Sequence, residues 1–283
     1  MPMRVLPAAQ LVERIRELAL EANRVLPGPV LRALKEGRDR EPLPLARSVL
    51  EDLLENARIA REESLPLCQD CGLAVVFLSW GQEVLLEGSS LREAVDEGVR
   101  RAYREGYLRK SVVTDPLFDR INTGDNTPSV IHLESVPGDR VEITVAPKGM
   151  GSENMSRIAL LRPADGEEGV LDFLVEAVRA AGPNPCPPVV LGAAVGGNFE
   201  TVALAAKKAL LRPLGQPHRD PRYAALEAEA LRRINALGIG PGGYGGATTA
   251  LAVHLSCLPT HIAGMPAAVN FCCHALRHAS GVL

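Results

Sequence analysis

No stretch of this 283-residue sequence approaches the roughly 18 continuous apolar residues that a membrane-spanning helix needs. Charge of one sign is lacking too. Thirty-one Lys and Arg against 34 Asp and Glu leave a formal net charge of -3, which gives no pull toward nucleic acid or an anionic membrane, so any anion site must be local. The first 25 residues carry charges throughout and read as an amphipathic helix rather than a signal peptide, which makes the cytoplasm the expected compartment. Internal repeats and low-complexity linkers are missing. There are only six cysteines, too few in so long a chain for a disulfide framework, so each thiol is an inert core residue, a nucleophile or a metal ligand. A second Cys-x-x-Cys pair, which would complete a zinc site with Cys68 and Cys71, is also missing.

What is present is the make-up of a globular protein: 46% hydrophobic and 23% charged residues, in a chain long enough to bury a substantial core. Leu11, Ile15 and Leu18 follow helical spacing. A second helix is expected near residues 30–36 and a long one over 44–63, so that residues 1–66 form a helical N-terminal part of a single domain spanning 1–283. Ser90-Leu-Arg-Glu93 is a capping box that opens a further helix. Helices are expected over 168–180, 199–210 and 222–236, and strands over 73–78, 83–87, 129–136, 140–146, 189–195 and 248–255. A turn at Trp80-Gly81 joins the first two strands, and Pro137-Gly138-Asp139 closes the next two as a hairpin. Helices and short strands mix without regular βαβ alternation, which makes the fold class α+β.

The chemistry concentrates at Leu67-Cys68-Gln69-Asp70-Cys71-Gly72. A thiol, an amide and a carboxylate stand there at the mouth of an apolar run that reads as a buried strand. As a redox pair, Cys68 and Cys71 would normally open a helix, whereas here they precede a strand. Cys186 is held between prolines in Asn184-Pro-Cys-Pro-Pro188, on a stiff, non-helical ledge. Cys272 and Cys273 are adjacent, so at most one of them faces a given point, and His261 on its own reads as a structural histidine. One thiol from each of three distant segments suits an iron–sulfur cluster with three protein thiolates. Lys148-Gly-Met-Gly-Ser-Glu-Asn154 is a glycine loop after a strand, with amides free to hold an anion. Asn198, after Gly196-Gly197, caps a helix start of similar potential. Residues 240–246 are glycine-dense and read as a tight or mobile turn.

Six of these stretches together resemble one family. They are Cys68-Gln-Asp70, Lys148-Gly-x-Gly-Ser-Glu-Asn154, Cys186-Pro-Pro188, Gly196-Gly-Asn-Phe-Glu200 with Ala205-Ala-Lys-Lys-Ala-Leu-Leu-Arg212, His261-Ile-Ala-Gly264, and Cys273-His-Ala-x-Arg277. In order and spacing they are similar to the α subunit, or N-terminal domain, of the class I, iron–sulfur-dependent fumarate hydratases. The L-tartrate dehydratase α subunit belongs to the same group.

The resemblance implies a [4Fe-4S] cluster on Cys68, Cys186 and Cys273, with one iron left open to the substrate's hydroxyl and carboxylate. Gln69 and Asp70 match the substrate-contacting pair, with Asp70 assisting proton transfer at carbon. Arg109 falls where a guanidinium clamps a substrate carboxylate, Gly151 matches a backbone contact to substrate, and His261 a hydrogen bond to it. The family's other cationic residues and its proton-transferring threonine lie in a β subunit, so this chain is expected to be inactive alone and to assemble into a heteromer. The implied reaction is reversible hydration of fumarate to L-malate, a tricarboxylic acid cycle step, with L-tartrate dehydration as the alternative. A metal-binding or redox protein built on Cys68 and Cys71 is the non-enzyme alternative. Two departures stand out. Cys71 occupies a position where threonine is expected, and Cys272 beside Cys273 leaves two candidates for the third ligand. Cys273 is chosen because it directly precedes His-Ala-x-Arg.

Overall fold

The computed structural model describes residues 3–283. Helices and sheets are mixed in an α+β fold that divides into two compact units. The first unit comprises Met1–Leu26, Ala57–Met150 and Arg277–Leu283, and the second comprises Pro27–Asn56 and Gly151–Leu276.

In the first unit, strand β1 (Arg4–Pro7) leads into helix α1 (Ala8–Arg24), and β2 (Leu73–Gly81) is followed by β3 (Val84–Glu87) and helix α4 (Leu91–Glu105). Strands β4 (Val130–Val136), β5 (Val141–Lys148) and β10 (Ala279–Val282) complete it. The apolar stripe of α1 explains its packing: Leu11, Ile15 and Leu18 are fully buried, each contributing about 1.5–3 kcal/mol by leaving water. They lie in one core with Val95, Val99 and Tyr103 of α4 and with Val76, Leu78, Ile143 and Val145 of the sheet. The expected capping box forms. Glu93 N–H donates to Ser90 Oγ at 3.2 Å, and Ser90 N–H donates to Glu93 Oε2 at 3.0 Å.

The sheet order is β10-β5-β2-β4, and it corrects two sequence expectations. The run 129–146 is not a hairpin, because β2 lies between its two strands, parallel to β4 (Val75 opposite Val130) and antiparallel to β5 (Leu73 opposite Lys148). The Pro137-Gly138-Asp139 turn instead closes around the end of β2, accepting from Glu83 N–H at Gly138 O at 3.0 Å. Strand β3 does not fold back on β2 either; it pairs in parallel with β1. A strand as apolar as β2, buried along most of its length, is stable only with both edges paired, and two distant segments supply those edges.

The second unit holds helices α2 (Gly28–Arg40), α6 (Gly166–Ala181), α7 (Phe199–Ala209) and α8 (Pro221–Asn235). Helix α3 (Pro44–Glu62) begins in this unit and ends in the other, and α5 (Met150–Glu153), a single turn, lies at the second boundary. Its sheet runs β6 (Arg157–Leu161), β9 (Met265–Cys272), β7 (Val189–Gly197) and β8 (Ala250–Thr260). The core joins Val189, Leu191 and Phe271 of the sheet to Leu171 and Leu174 of α6 and Ile234 of α8. Helix α7 presses so closely on β7 that a Cβ on Gly192 would lie 2.1 Å from the Ala206 carbonyl oxygen; glycine is required there by space alone. Asn198 caps α7, its Oδ1 accepting from Thr201 N–H at 3.0 Å.

His254 of β8 is almost fully buried, and its Nδ1–H faces the Ala209 carbonyl at 3.3 Å. Burial first, then the nearby Arg212 charge, lowers its pKa from 6.5 to about 4. The folded chain therefore keeps this ring neutral where the unfolded chain would protonate it. The associated stability is present above pH 6.5 and is lost as pH falls from 6.5 toward 4, to a total of about 3 kcal/mol. Urea unfolding at pH 7 and pH 4.5 checks this: His254→Gln should lose distinctly less stability across that interval than the wild-type chain, and an equal loss contradicts the assignment.

Candidate active site

The strand β2 begins at a turn built by its own polar groups. Asp70 is the knot. Its Oδ1 accepts from Gly72 N–H at 2.9 Å and its Oδ2 accepts from Met150 N–H at 2.8 Å, so one carboxylate fixes the turn and ties it to the end of β5. Gly72 has φ +74, and a Cβ there would stand 2.7 Å from the backbone N and C of Lys148. Only glycine allows both the conformation and the approach. The Gly72 carbonyl is held by Tyr103 Oη at 3.1 Å and by Asn126 Nδ2 at 3.2 Å. Asn126 is fully buried and also accepts from Ser111 N–H at 2.8 Å, so it links the 107–127 loop to the turn. Burial pushes the Tyr103 hydroxyl strongly upward in pKa, which keeps it a neutral donor.

On this frame the sequence-selected groups sit as follows. Cys68 is half-buried; its Sγ receives Asp70 N–H at 3.4 Å and faces Gln69 Oε1 at 3.4 Å. Gln69 is exposed and Asp70 half-buried, and Arg109 is exposed. The backbone N–H of Arg109 donates to Cys71 Sγ at 3.1 Å, which anchors that arginine's segment beside the turn. Cys71 is buried, its thiol directed at the Cys68 carbonyl at 3.7 Å, and burial raises its pKa. A neutral thiol that accepts one backbone N–H and donates to one carbonyl does what a threonine hydroxyl would do at this position.

The second unit carries the other residues. Cys186 is exposed and adopts φ +55, a conformation uncommon for a non-glycine residue. Its carbonyl accepts from His274 Nδ1–H at 3.2 Å, which brings the Cys186 segment and the Cys273-His274 segment together. Cys272 ends β9 with its side chain buried, whereas Cys273 follows the strand and is half-buried. His261 is exposed in the turn between β8 and β9, and its Nδ1 accepts from Ala263 N–H at 3.2 Å, leaving the Nε2–H of the neutral ring to donate outward. The glycine loop is in fact a helical turn, α5, and a Cβ on Gly151 would meet nothing within 4 Å. Glu153 holds this turn in place by accepting from Asn270 Nδ2 at 2.7 Å and from Lys207.

None of the six cysteines is in a disulfide. Among the described residues no group of three or more His, Cys, Asp or Glu forms a site for a metal ion. Each of Cys68, Cys186 and Cys273 is chemically a thiol that an iron–sulfur cluster accepts, outside any disulfide and not fully buried, and Cys68 Sγ already receives a backbone N–H of the kind that tunes cluster sulfur. Arg277 adds a buried cation on the Asp70 side, its Nη2 donating to the Asp70 carbonyl while Nε and Nη1 have no partner.

The family model described as fumarate hydratase (Fumerase) matches residues 12–282. The chain belongs to that family. Among its relatives, a putative L(+)-tartrate dehydratase subunit alpha from Methanocaldococcus jannaschii is 41% identical over 268 residues, covering 93% of this chain and 94% of that protein. An L(+)-tartrate dehydratase subunit alpha from Escherichia coli is 33% identical over 275 residues, covering 95% and 89%. A protein of the same name from Shigella sonnei is 32% identical over 275 residues, with the same coverage. As a member of the Fumerase family the chain is of hydro-lyase α-subunit type, and no helix among its described residues is long and apolar enough to cross a membrane.

Tyr103 and Asn126 are the positioning residues that motif reading passed over; the signal available was Gly72, directly before a buried strand, whose carbonyl both of them hold. Cys71→Ser should keep both contacts of the thiol and cost well under half of what Cys71→Ala costs, the latter losing about 1–3 kcal/mol because a buried N–H is stranded. Denaturant unfolding of the two variants checks this, and equal losses contradict the hydroxyl-like role.

Proposed function

We propose that this chain is the α subunit of an iron–sulfur hydro-lyase that dehydrates L-tartrate, working with a β subunit in a larger heteromer. The observation that carries the reading is the end-to-end similarity, at 41% identity, to the putative L(+)-tartrate dehydratase subunit alpha, joined by the enterobacterial proteins of that name. It displaces fumarate hydration, the sequence's first expectation, to second place. The description of the matching family, fumarate hydratase, keeps that second reading specific; only on it would a tricarboxylic acid cycle role follow. Six cysteines outside any disulfide fit a reducing compartment such as the cytoplasm.

Both reactions remove or add water across two adjacent carbons of a small dicarboxylate: a hydroxyl leaves one carbon and a proton leaves its neighbour. A [4Fe-4S] cluster on Cys68, Cys186 and Cys273 supplies, when bound, a Lewis-acidic iron free of protein thiolate. The carboxylate of Asp70, held from two sides by Gly72 and Met150 N–H groups, moves the proton at carbon. Gln69 hydrogen-bonds the substrate from the exposed face of the turn. Arg109, exposed on an anchored backbone, takes one substrate carboxylate in a two-pronged contact. His261 donates Nε2–H to substrate, and the uncrowded turn at Gly151 offers its backbone. A dianionic substrate beside thiolates requires more cations than these segments supply, and the partner subunit provides the remainder.

The test is anaerobic reconstitution of this chain with iron and sulfide, with and without its partner, followed by turnover of L-tartrate and of fumarate. Tartrate turnover by the pair, absent from the chain alone, is expected, with Asp70→Asn lowering kcat by about 10²–10⁴-fold and Cys71→Ser leaving it near wild type. Fumarate hydration without tartrate turnover selects the second reading. Loss of all function in Cys71→Ser with Asp70→Asn unaffected would select the redox protein instead.

A further inference from the structure

Arg277 is only 5% exposed, yet among the described residues it makes no ion pair. One of its nitrogens, Nη2, donates to the Asp70 carbonyl, while Nε and Nη1 are buried and have no hydrogen-bond partner. The carboxylate of Asp70, the residue whose carbonyl Arg277 contacts, is already committed to the Gly72 and Met150 N–H groups. A buried guanidinium with two unpartnered nitrogens is strongly unfavourable unless an anion answers it. The surroundings indicate which anion. Asp70, which receives Arg277 through its carbonyl, gives its own N–H to Cys68 Sγ at 3.4 Å, so cation and sulfur bond the backbone of the same residue. The positive charge of Arg277 also acts on the Cys71 thiol and the Tyr103 hydroxyl, lowering the pKa of each against the rise that burial imposes. Its field therefore falls on the sulfur-bearing turn. The tie to the Asp70 carbonyl is a hydrogen bond that a neutral side chain could make. The charge and the two spare donors have no such explanation within the chain.

We propose that Arg277 is the built-in counter-cation of the iron–sulfur centre, a positioning residue whose two unpartnered nitrogens are reserved for the anionic sulfur held at Cys68. The inference rests on the cluster reading of Cys68, Cys186 and Cys273 and adds a charge-balancing residue to it. It makes two demands. In the cluster-free chain Arg277 is an uncompensated buried charge, so Arg277→Gln should be neutral or stabilising there. In the loaded chain the same change removes a favourable pairing, so the gain in thermal midpoint on loading should shrink in Arg277→Gln and recover in part in Arg277→Lys. A cation beside a cluster also favours its reduced, more negative form. Loss of the charge should therefore shift the one-electron reduction equilibrium about tenfold toward the oxidised form, which is about 59 mV downward.

The experiment measures thermal midpoints of wild type, Arg277→Gln and Arg277→Lys, each cluster-free and after anaerobic loading with iron and sulfide, together with a redox titration followed by electron paramagnetic resonance. Opposite effects of Arg277→Gln in the two states, with a lowered potential, bear the proposal out. Equal destabilisation in both states, or a cluster-free Arg277→Gln that fails to fold, shows that Arg277 serves only the Asp70 carbonyl and overturns the proposal. So does an unchanged potential at full cluster content. If wild type itself takes up no cluster, it is the cluster reading that has failed, which separates the two.

Discussion

The carboxylate of Asp70 is asked to do two things that pull against each other. It must be rigid enough to anchor a turn and polar enough to handle a proton. The structure meets the first demand by giving one oxygen to Gly72 N–H and the other to Met150 N–H. The start of the buried strand β2 and the end of its neighbour β5 thereby share one anion. Everything around it follows from this economy. Gly72 must be glycine because Lys148 backbone lies against it. The carbonyls of Cys71 and Gly72 must find donors away from solvent, and Tyr103 and Asn126 provide them. Arg277 reaches the carbonyl of Asp70 itself.

This arrangement explains why two cysteines three positions apart have different fates. Cys68 projects from the turn half-buried, with a backbone N–H aimed at its sulfur. Cys71 faces the core, where burial keeps it protonated and its two hydrogen bonds occupy it. Spacing alone would treat them as a pair. Hydrogen bonding and solvation divide them into a candidate ligand and a structural residue.

Local chemistry was well written in the sequence. The stripe of Leu11, Ile15 and Leu18, the capping box at Ser90, the N-cap Asn198, and helices read over 168–180, 199–210 and 222–236, which the structure places at 166–181, 199–209 and 221–235, were all readable from periodicity and cap residues. Pairing between strands was not. Residues 130–136 and 141–148 carry every signal of a hairpin, and the insertion of β2 between them depends on contacts across many tens of residues that no local pattern encodes. Strands β1, β6, β9 and β10 escaped notice because their sequences become strands only once neighbours present an edge. The candidate site shows the same division. Cys68, Gln69, Asp70, Cys186 and Cys273 stand in short, distinctive motifs, whereas Asn126 and Tyr103 lie in ordinary loop and helix sequence and acquire their roles by burial. Arg277 was visible as part of a motif, but its unpartnered nitrogens belong to the folded state alone.

The central claim is that three thiolates of this chain hold a four-iron cluster that keeps one iron open to a hydroxy acid. Mössbauer spectroscopy of the chain and its partner, loaded with iron-57 and sulfide, addresses it directly. The account expects three irons alike and one distinct, with only the distinct iron changing its isomer shift when L-tartrate is added. Four equivalent irons unmoved by the substrate, or a two-iron signal, would contradict it.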